Sequence, residues 1–353
     1  MNESQPEALR YRLLDRALTA GVLPDRVLRA GSLYGAWARE RRESDGGVDA
    51  CSERLRALVA RMSTGAIAEQ VGAANEQHYE LPASFMELVL GPRMKYSGCL
   101  WPAGVSSLAA AEEAMLSLTC ARAGVTDGMR VLDLGCGWGS LSLWLAERYP
   151  GCSVVGVSNS ASQRAWIVAE AERRGLANLD IVTADVNSFS PSGTFDRVIS
   201  IEMFEHLRNW RELLARVSSW LGSDGRAFVH VFSHRTLPYL FQGTWAASRF
   251  FTAGLMPSHE LLLHFAEDLR VTDSWIVPGT HYARTLSAWL ERLDAAIASG
   301  EARDVLVQSG RSDADARRLL ATWRLFFIST EVIWRYRGGN RWLVSHYLLA
   351  PSR

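Results

Sequence analysis

Between about residues 105 and 233, short apolar segments alternate with helical ones, and this alternation restricts the fold more than any other feature of the chain. Short apolar runs flanked by turn residues are typical of buried strands. Strands that alternate with helices predict a parallel sheet with helices on both faces, an α/β fold. The predicted strands are 130–134, 153–157, 179–184, 195–201 and 226–232, with helices at 140–149, at 160–175 and from about 208.

Composition excludes several classes of protein. The 38 basic and 38 acidic residues balance, so nothing in the charge calls for nucleic acid or a stable membrane association. The five cysteines are irregularly spaced without a CxxC pair, and no histidine and acid spacing indicates a metal site. No signal peptide and no bilayer-spanning run is present, so we expect a reduced, cytoplasmic enzyme. Lys95 is the only lysine, which we attribute to compositional bias.

A glycine-rich loop, DLGCGWG at 133–139, follows the first predicted strand and precedes a helix. Glycines at 135, 137 and 139 let the backbone turn tightly and approach a ligand closely. The dinucleotide fingerprint is GxGxxG, whereas here the spacing is GxGxG, with Ser140 where the last glycine would stand. Together with the preceding Asp133, the loop therefore predicts a nucleoside cofactor other than a dinucleotide. The alternative is a mere tight turn.

The second strand lacks the acidic residue that usually binds ribose in such sheets. Instead Ser158 and Asn159 follow it, and Ser160 to Gln163 have the pattern of a helix-capping box. Asn159 and Gln163 either supply neutral hydrogen bonds to a nucleoside or, for Gln163, only cap the helix. Asp185, after the third strand, is placed either to reach an adenine amino group or to cap a turn.

Several long segments resemble one family, the cyclopropane fatty-acid synthase superfamily of methyltransferases. Within that superfamily the chain is most similar to the coclaurine N-methyltransferase group of amine-methylating enzymes. The resemblance implies a seven-strand, Rossmann-like class I methyltransferase sheet and the cofactor S-adenosyl-L-methionine, with S-adenosyl-L-homocysteine as product. The segments are HYELPASFMELVLGPRMKYSGCLW (78–101), VLDLGCGWGSLSLWLAERY (131–149), VVGVSNSASQ (154–163), ISIEMFEHLRNW (199–210), FFTAGLMPSHELLLHF (250–265) and WIVPGTHYARTLSAWLERLD (275–294).

The resemblance also implies the roles of individual residues at the cofactor. Residues of four segments are expected to contact its methionine part, its ribose and its adenine. These cofactor-binding residues are Tyr96, Ser97, Asp133, Gly135, Gly137, Asn159, Gln163, Asp185 and Val186.

The EMFEH segment is expected to carry the catalytic residues Glu202, Glu205 and His206 into the active site. Methyl transfer needs positioning of the nucleophile and exclusion of water. An alkylamine must also present a free lone pair, so a proton acceptor helps. Glu205 and His206 suit that role, and Glu202 suits attraction of a cationic amine.

Two sub-families compete for this sequence. Lipid-cyclopropanating members have a cysteine directly after Tyr-Ser, and it helps to hold a bicarbonate base; here Gly98 takes that place and Cys99 follows. However, Glu205, His230 and Tyr282 match other positions of the bicarbonate site. The expected function is N-methylation of a small, aromatic or benzylisoquinoline-like amine. The alternative is modification of lipid acyl double bonds, as in cyclopropane-fatty-acyl-phospholipid synthases.

Aromatic residues of the later part of the chain are expected to form the substrate pocket, since an aromatic face stabilises a cationic amine. The expected substrate-binding residues are Gly98, His230, Phe232, Tyr282, Trp323 and Phe327. The segments expected are a helical N-terminal cover (1–104), the cofactor-binding core (105–233), a mostly helical substrate-binding insertion (234–340) and a C-terminal strand that completes the sheet (341–353). The sequence leaves the oligomeric state open, a homodimer included.

Overall fold

The computed structural model describes residues 5–69, 81–250 and 254–352. Residues 78–80 and 251–253 of two segments quoted above therefore lie outside the described residues. The strands are β1 (Arg130–Leu134), β2 (Ser153–Ser158), β3 (Leu179–Thr183), β4 (Phe195–Ile201), β5 (Leu221–His234), β6 (Tyr239–Leu240), β7 (Leu255–Met256), β8 (Leu269–Pro278) and β9 (Trp342–Pro351).

Seven of these strands form one mixed sheet in the order β3-β2-β1-β4-β5-β9-β8, which confirms the predicted seven-strand fold. The strands from β1 to β5 pair in parallel, whereas β9 is antiparallel to both β5 and β8. β1, at the centre, is buried at four of its five residues, as expected for a strand covered on both faces. The carboxyl ends of β1, β2 and β4 meet at one edge, where ligands bind in such sheets.

Strand β8 was not predicted, and it lies inside the segment expected to be mostly helical. It is the edge strand, so β9 lies between β5 and β8 rather than at the end of the sheet. Only Leu269 and Val277 of β8 are buried, and its consecutive apolar residues are confined to 275–277 at the end of the strand. The polar residues on its exposed side hide the strand from a search for apolar segments.

The helices cover the sheet and add a separate layer beyond its carboxyl edge. They are α1 (Gln5–Thr19), α2 (Asp25–Glu43), α3 (Gly47–Arg61), α4 (Ala83–Val89), α5 (Leu108–Ala123), α6 (Ser140–Arg148), α7 (Ala161–Arg174), α8 (Trp210–Trp220), α9 (Trp245–Phe250), α10 (Gly279–Ser299), α11 (Glu301–Gln308) and α12 (Asp313–Arg335), with short 3-10 turns at Phe204–His206, Leu261–His264 and Tyr336–Gly339. α2 and α3 are joined by the short segment 44–46. Among the helices of the described ranges, none is both long and apolar enough to cross a membrane.

Helices α1 and α2 pack against α12, which also packs against α10. Arg324 of α12 fixes this arrangement. Its guanidinium contacts Asp25 at the start of α2 at 2.6 and 2.8 Å and Asp294 of α10 at 2.7 and 3.1 Å. These hydrogen bonds hold the pKa of Arg324 above its usual range. One side chain therefore joins three helices of the cover.

Replacement of Arg324 by methionine should lower the free energy of unfolding by about 1–2 kcal/mol, because two half-exposed carboxylates lose one bidentate partner. Arg317, which pairs with Asp313 in a single exposed helical turn, provides the control. Arg317→Met should cost about 0.5 kcal/mol or less. Denaturant unfolding of the two variants measures the difference, and equal losses would contradict the role given to Arg324.

Candidate active site

The glycine-rich loop links β1 to α6 in a tight turn at the carboxyl edge of the sheet. Gly135 has φ +85°, and a Cβ there would lie 2.7 Å from the sulfur of Met203, so no other residue fits. Gly137 has φ +53°, but a Cβ there would meet nothing within 4 Å. Gly137 instead borders a large cavity. The loop therefore leaves open space beside the backbone at the position where a ligand is expected.

Unsatisfied polar groups around this loop mark the place of a polar ligand. Asp133 is buried, accepts a 2.6 Å hydrogen bond from the Ser142 hydroxyl, and has its pKa raised to about 6 by burial. The Ser140 hydroxyl and the Gln163 amide nitrogen are buried without a hydrogen-bond partner. All but Ser142 line the cavity. Because native proteins rarely leave such groups unpaired, they fit a cofactor with several polar atoms.

After β2, only the backbone of Gln163 takes part in the helix cap, and Gln163 lines the cavity. The Ser160 hydroxyl caps α7 by accepting a hydrogen bond from the backbone N–H of Gln163. The side chain of Gln163 takes no part in this cap; its carbonyl oxygen accepts a 2.7 Å bond from Ser158. Asn159 is half-buried and lies off the wall of the cavity.

The loop after β3 lies at the same edge, but off the wall of the cavity. Asp185 accepts a 2.8 Å bond from the backbone N–H of Asn187, so its side chain forms a local turn. The Val186 carbonyl accepts a hydrogen bond from Arg216. The adenine contacts assigned to Asp185 and Val186 therefore stay a prediction.

Glu202 follows β4 and projects into the site from a strained backbone. It has φ +48°, a conformation that costs a residue with a side chain about 1 kcal/mol or more. Its carboxylate accepts three hydrogen bonds: from the Gly98 N–H (2.9 Å), from His230 Nε2 (3.2 Å) and from the Tyr282 hydroxyl (2.6 Å). Burial raises the pKa of Glu202, while the Lys95 ammonium and two of these donors oppose the rise. The donors favour the ionised carboxylate.

Glu205 has the opposite environment, although it lies only three residues further on. It is fully buried, and neither carboxyl oxygen has a hydrogen-bond partner. Burial and then the negative charge of Glu202 raise the pKa of Glu205 well above its usual range. Two carboxyl groups in one apolar site cannot both ionise easily, so Glu205 keeps the proton and Glu202 carries the charge.

His206 ends the 3-10 turn that carries Glu205, and it is half-buried at the wall of the cavity. Its charge, when it is protonated, lowers the pKa of Glu202. The three predicted catalytic residues are therefore brought together around one cavity. Of Glu205 and His206, His206 is the more exposed to solvent.

Lys95, which was attributed to compositional bias, is buried beside this site, and that interpretation was wrong. Its ammonium donates to the Ser97 hydroxyl at 2.5 Å and to the Gly98 carbonyl at 2.8 Å. Burial lowers the pKa of Lys95, while neighbouring acidic groups, Glu202 among them, oppose the fall. The signal that pointed to it was its uniqueness in a chain whose other basic residues are all arginine.

The cavity has a volume of about 630 Å³ and joins the glycine-rich loop to a wall of aromatic rings. That size suits a small-molecule site. Tyr96 and Ser97 line it near the loop, and part of α2, around Gly31 and Gly35, closes it from the N-terminal side. Its aromatic lining is Phe232, Tyr239, Phe241, Trp245, Tyr282, Trp289, Phe326 and Trp334 together with Trp138 and Trp342.

Four predicted substrate-binding residues, Gly98, His230, Trp323 and Phe327, do not line the cavity, whereas Phe232 and Tyr282 do. Trp323 and Phe327 are buried in the helical core, where they pack against each other, and the cavity-facing side of α12 carries Phe326 and Trp334 instead. Aromatic content alone does not tell which face of a buried helix meets a cavity. His230 is fully buried behind Glu202 and does not line the cavity.

The backbone at Gly98 packs against the ring of Tyr282. A Cβ there would approach that ring to 3.2 Å and the Glu202 carboxylate to 3.5 Å. Such a separation is tighter than ordinary van der Waals contact. A side chain at this position would therefore require a small shift of the Tyr282 ring.

Comparison with known proteins identifies the family. Residues 68–309 match the family described as mycolic acid cyclopropane synthetase. An (S)-coclaurine N-methyltransferase from Thalictrum flavum subsp. glaucum is 36% identical over 288 residues, which are 80% of this chain and 80% of that protein.

Two solved structures share the fold of this chain to different extents. A coclaurine N-methyltransferase bound to N-methylheliamine and SAH superimposes with a TM-score of 0.91 at 31% identity, over 95% of this chain and 98% of that one. The cyclopropane synthase MmaA2 from Mycobacterium tuberculosis has a TM-score of 0.65 at 23% identity, over 80% of this chain and 99% of that one. It shares the fold. The predicted resemblance is thus confirmed, and the chain belongs to the mycolic acid cyclopropane synthetase family, with coclaurine N-methyltransferases among its relatives.

Proposed function

We propose that the protein is an S-adenosyl-L-methionine-dependent N-methyltransferase whose acceptor is a small aromatic amine. The observation that carries the proposal is the Glu202 carboxylate, which contacts three donors at the wall of an aromatic cavity that opens onto the glycine-rich loop. An anion and aromatic faces together attract a cationic amine. The coclaurine N-methyltransferases named above support the same substrate class.

The bound cofactor supplies an activated methyl group on a sulfonium. The residues that would hold it are those with unsatisfied polar atoms or open space around the loop: Asp133, Gly137, Ser140 and Gln163, with Tyr96 and Ser97 above. Asp133 is buried at the end of β1 and accepts only from Ser142 within the protein. It retains acceptor capacity for an ammonium or hydroxyl group.

Within the acceptor half, Glu202 orients the amine through its charge, and the stacked rings of Tyr282 and Trp334 (4.4 Å between centroids) form the adjoining wall. The amine must lose a proton before it acts as a nucleophile. Glu205 holds its own proton and cannot take another in the free protein. His206, half-exposed beside it, accepts the proton and passes it to solvent. Glu205 then offers a hydrogen-bond partner inside the site.

Acyl-chain cyclopropanation is less well supported. Of the three residues that match the bicarbonate site, Glu205, His230 and Tyr282, the last two donate to Glu202. Gly98 lacks the thiol that this chemistry uses elsewhere in the family.

A methyl-transfer screen tests the proposal. The wild-type protein with S-adenosyl-L-methionine should release S-adenosyl-L-homocysteine in the presence of secondary arylalkyl amines of the tetrahydroisoquinoline type. Vesicles of unsaturated phospholipid should give no release. Turnover with the vesicles and none with any amine would overturn the proposal.

Replacement of Gly137 by alanine should weaken binding of S-adenosyl-L-homocysteine tenfold or more, because the new Cβ points into the cavity. Gly175→Ala is the matched control, since Gly175 also has a positive φ (+69°) and open space but ends α7 on the surface. Isothermal titration calorimetry measures both affinities. An unchanged affinity in Gly137→Ala would place the cofactor elsewhere.

Glu202→Gln should lower kcat/KM for the amine about 100-fold or more, because the amide keeps the shape but removes the charge that orients the amine. Glu205→Gln should lower it less, since the amide resembles the protonated acid that the structure favours. Initial rates at saturating cofactor give both values. A larger loss in Glu205→Gln than in Glu202→Gln would reverse the roles assigned to the two carboxyls.

The raised pKa of Glu205 predicts a pH dependence of stability. Above the unfolded pKa of about 4.3, unfolding releases the proton that folded Glu205 retains, so the free energy of unfolding falls as pH rises, by up to about 1.4 kcal/mol per pH unit. Glu205→Gln lacks this loss. The stability of the variant relative to wild type should therefore increase between about pH 5 and pH 8. A constant difference, measured by denaturant unfolding, would show that Glu205 is ionised in the folded protein.

A further inference from the structure

A row of buried side chains crosses the sheet from the active site to the far side of α5. The register pairs Ile201 of β4 with His230 of β5, His230 with His346 of β9, and His346 with Trp275 of β8. Residues paired across neighbouring strands lie side by side on one face of the sheet. The two histidine rings are accordingly 4.6 Å apart between centroids, and both are fully buried.

Continuous hydrogen bonds run along this row. Arg122 Nη1 is 2.7 Å from His346 Nδ1, His346 Nε2 is 3.0 Å from His230 Nδ1, and His230 Nε2 is 3.2 Å from Glu202 Oε1. Arg122 also lies over the ring of Trp275, with 4.9 Å to the ring centroid. A half-exposed arginine on α5 is thus connected to the carboxylate of the active site through two histidines.

The chemistry of arginine fixes the direction of every bond in this chain. A guanidinium donates only, so Nδ1 of His346 must accept. A neutral His346 therefore carries its proton on Nε2 and donates to Nδ1 of His230. His230 in turn carries its proton on Nε2, which faces Glu202. One tautomer of each ring satisfies all three contacts.

Both rings are held neutral by their surroundings. Burial, and then the positive charges of Lys95 and Arg122, lower the pKa of His230 well below its usual range. Burial, and then His230, Arg122 and Lys95, likewise lower the pKa of His346 well below its usual range. Two acidic groups lie around the row. The charge of Asp273 of β8 opposes the lowering of the Arg122 pKa by burial, and Glu202 accepts a hydrogen bond from His230. Two flanking cations oppose an added proton, so the chain does not carry protons away from the site.

We propose that Arg122 and His346 are positioning residues, which fix the ring of His230 so that Glu202 always faces an N–H donor and stays ionised toward the amine. The effect on catalysis rests on the proposed function. The tautomer of each ring is a property of the folded protein and does not depend on the proposed function. Removal of a partner that orients a functional histidine commonly costs 10- to 100-fold in activity.

Nuclear magnetic resonance of ring-¹⁵N-labelled histidine tests the tautomers without any substrate. In the wild-type protein both rings should be neutral and protonated on Nε2 at pH 7, with His346→Gln used for assignment. In Arg122→Met, Nδ1 of His346 loses its donor, and the ring should move toward the Nδ1-protonated form. Imidazolium or Nδ1-protonated rings in the wild type, or no change in Arg122→Met, would overturn the proposal.

Arg197→Met is the matched control for this measurement. Arg197 is buried to a similar extent and bonds to the Ala123 and Gly124 carbonyls at the same end of α5, but it does not reach the histidines. Its variant should leave the spectra of His230 and His346 unchanged. A change as large as that in Arg122→Met would mean that the effect arises from movement of α5.

Kinetics with an accepted amine test the second half of the proposal. His346→Leu breaks the chain and should lower kcat/KM about tenfold or more. Loss of a donor raises the pKa of Glu202, so the acidic limb of the pH profile should move to higher pH. His346→Gln can accept from Arg122 and donate to His230, and should restore both values.

Equal losses in both His346 variants with no shift of the acidic limb would indicate a merely structural role and overturn the proposal. If no amine is methylated by the wild-type protein, the proposed function fails, while the spectra still decide the tautomers.

Discussion

The site depends on one carboxylate that is kept ionised inside an apolar cavity. Glu202 would not hold a charge there unaided, since burial favours the protonated acid. Three donors from three different parts of the chain, at Gly98, His230 and Tyr282, compensate for the lost water. The buried Lys95 adds a cation nearby. The strained backbone of Glu202 is a cost that this set of contacts offsets.

The same contacts explain why two neighbouring carboxyl groups behave differently. Glu205 lacks every donor that Glu202 has, so the proton stays on Glu205. A pair of acids with separated pKa values is a common basis for assigning different roles in one active site. In this protein the charged Glu202 suits orientation of a cationic amine. The neutral Glu205 lies beside it and offers a hydrogen-bond partner inside the site. Glycine at position 98 lets Tyr282 pack closely against this segment, since a Cβ there would approach the ring to 3.2 Å.

The sequence predicted the parts of the molecule that depend on local patterns. The bounds of β1 and β4, the glycine-rich turn and the family followed from short-range periodicity and from long motifs. Strand β8 did not, because the consecutive apolar residues of this edge strand are confined to 275–277. The prediction that Trp323 and Phe327 line the cavity was wrong, and both are buried in the helical core. Packing between helices decides which face of a buried helix meets a ligand, and the sequence pattern does not show that face. The pairing of His230 with His346 joins residues that are distant in sequence, and only the sheet register brings them together.

The most direct test of the central claim is a crystal structure of the protein with S-adenosyl-L-homocysteine and an N-methylated tetrahydroisoquinoline. The account predicts that the amine nitrogen lies within about 4 Å of the Glu202 carboxylate, with its N-methyl group directed at the cofactor sulfur beside Gly137. A nitrogen bound on the far side of the cavity, with Glu202 still contacted only by Gly98, His230 and Tyr282, would contradict it.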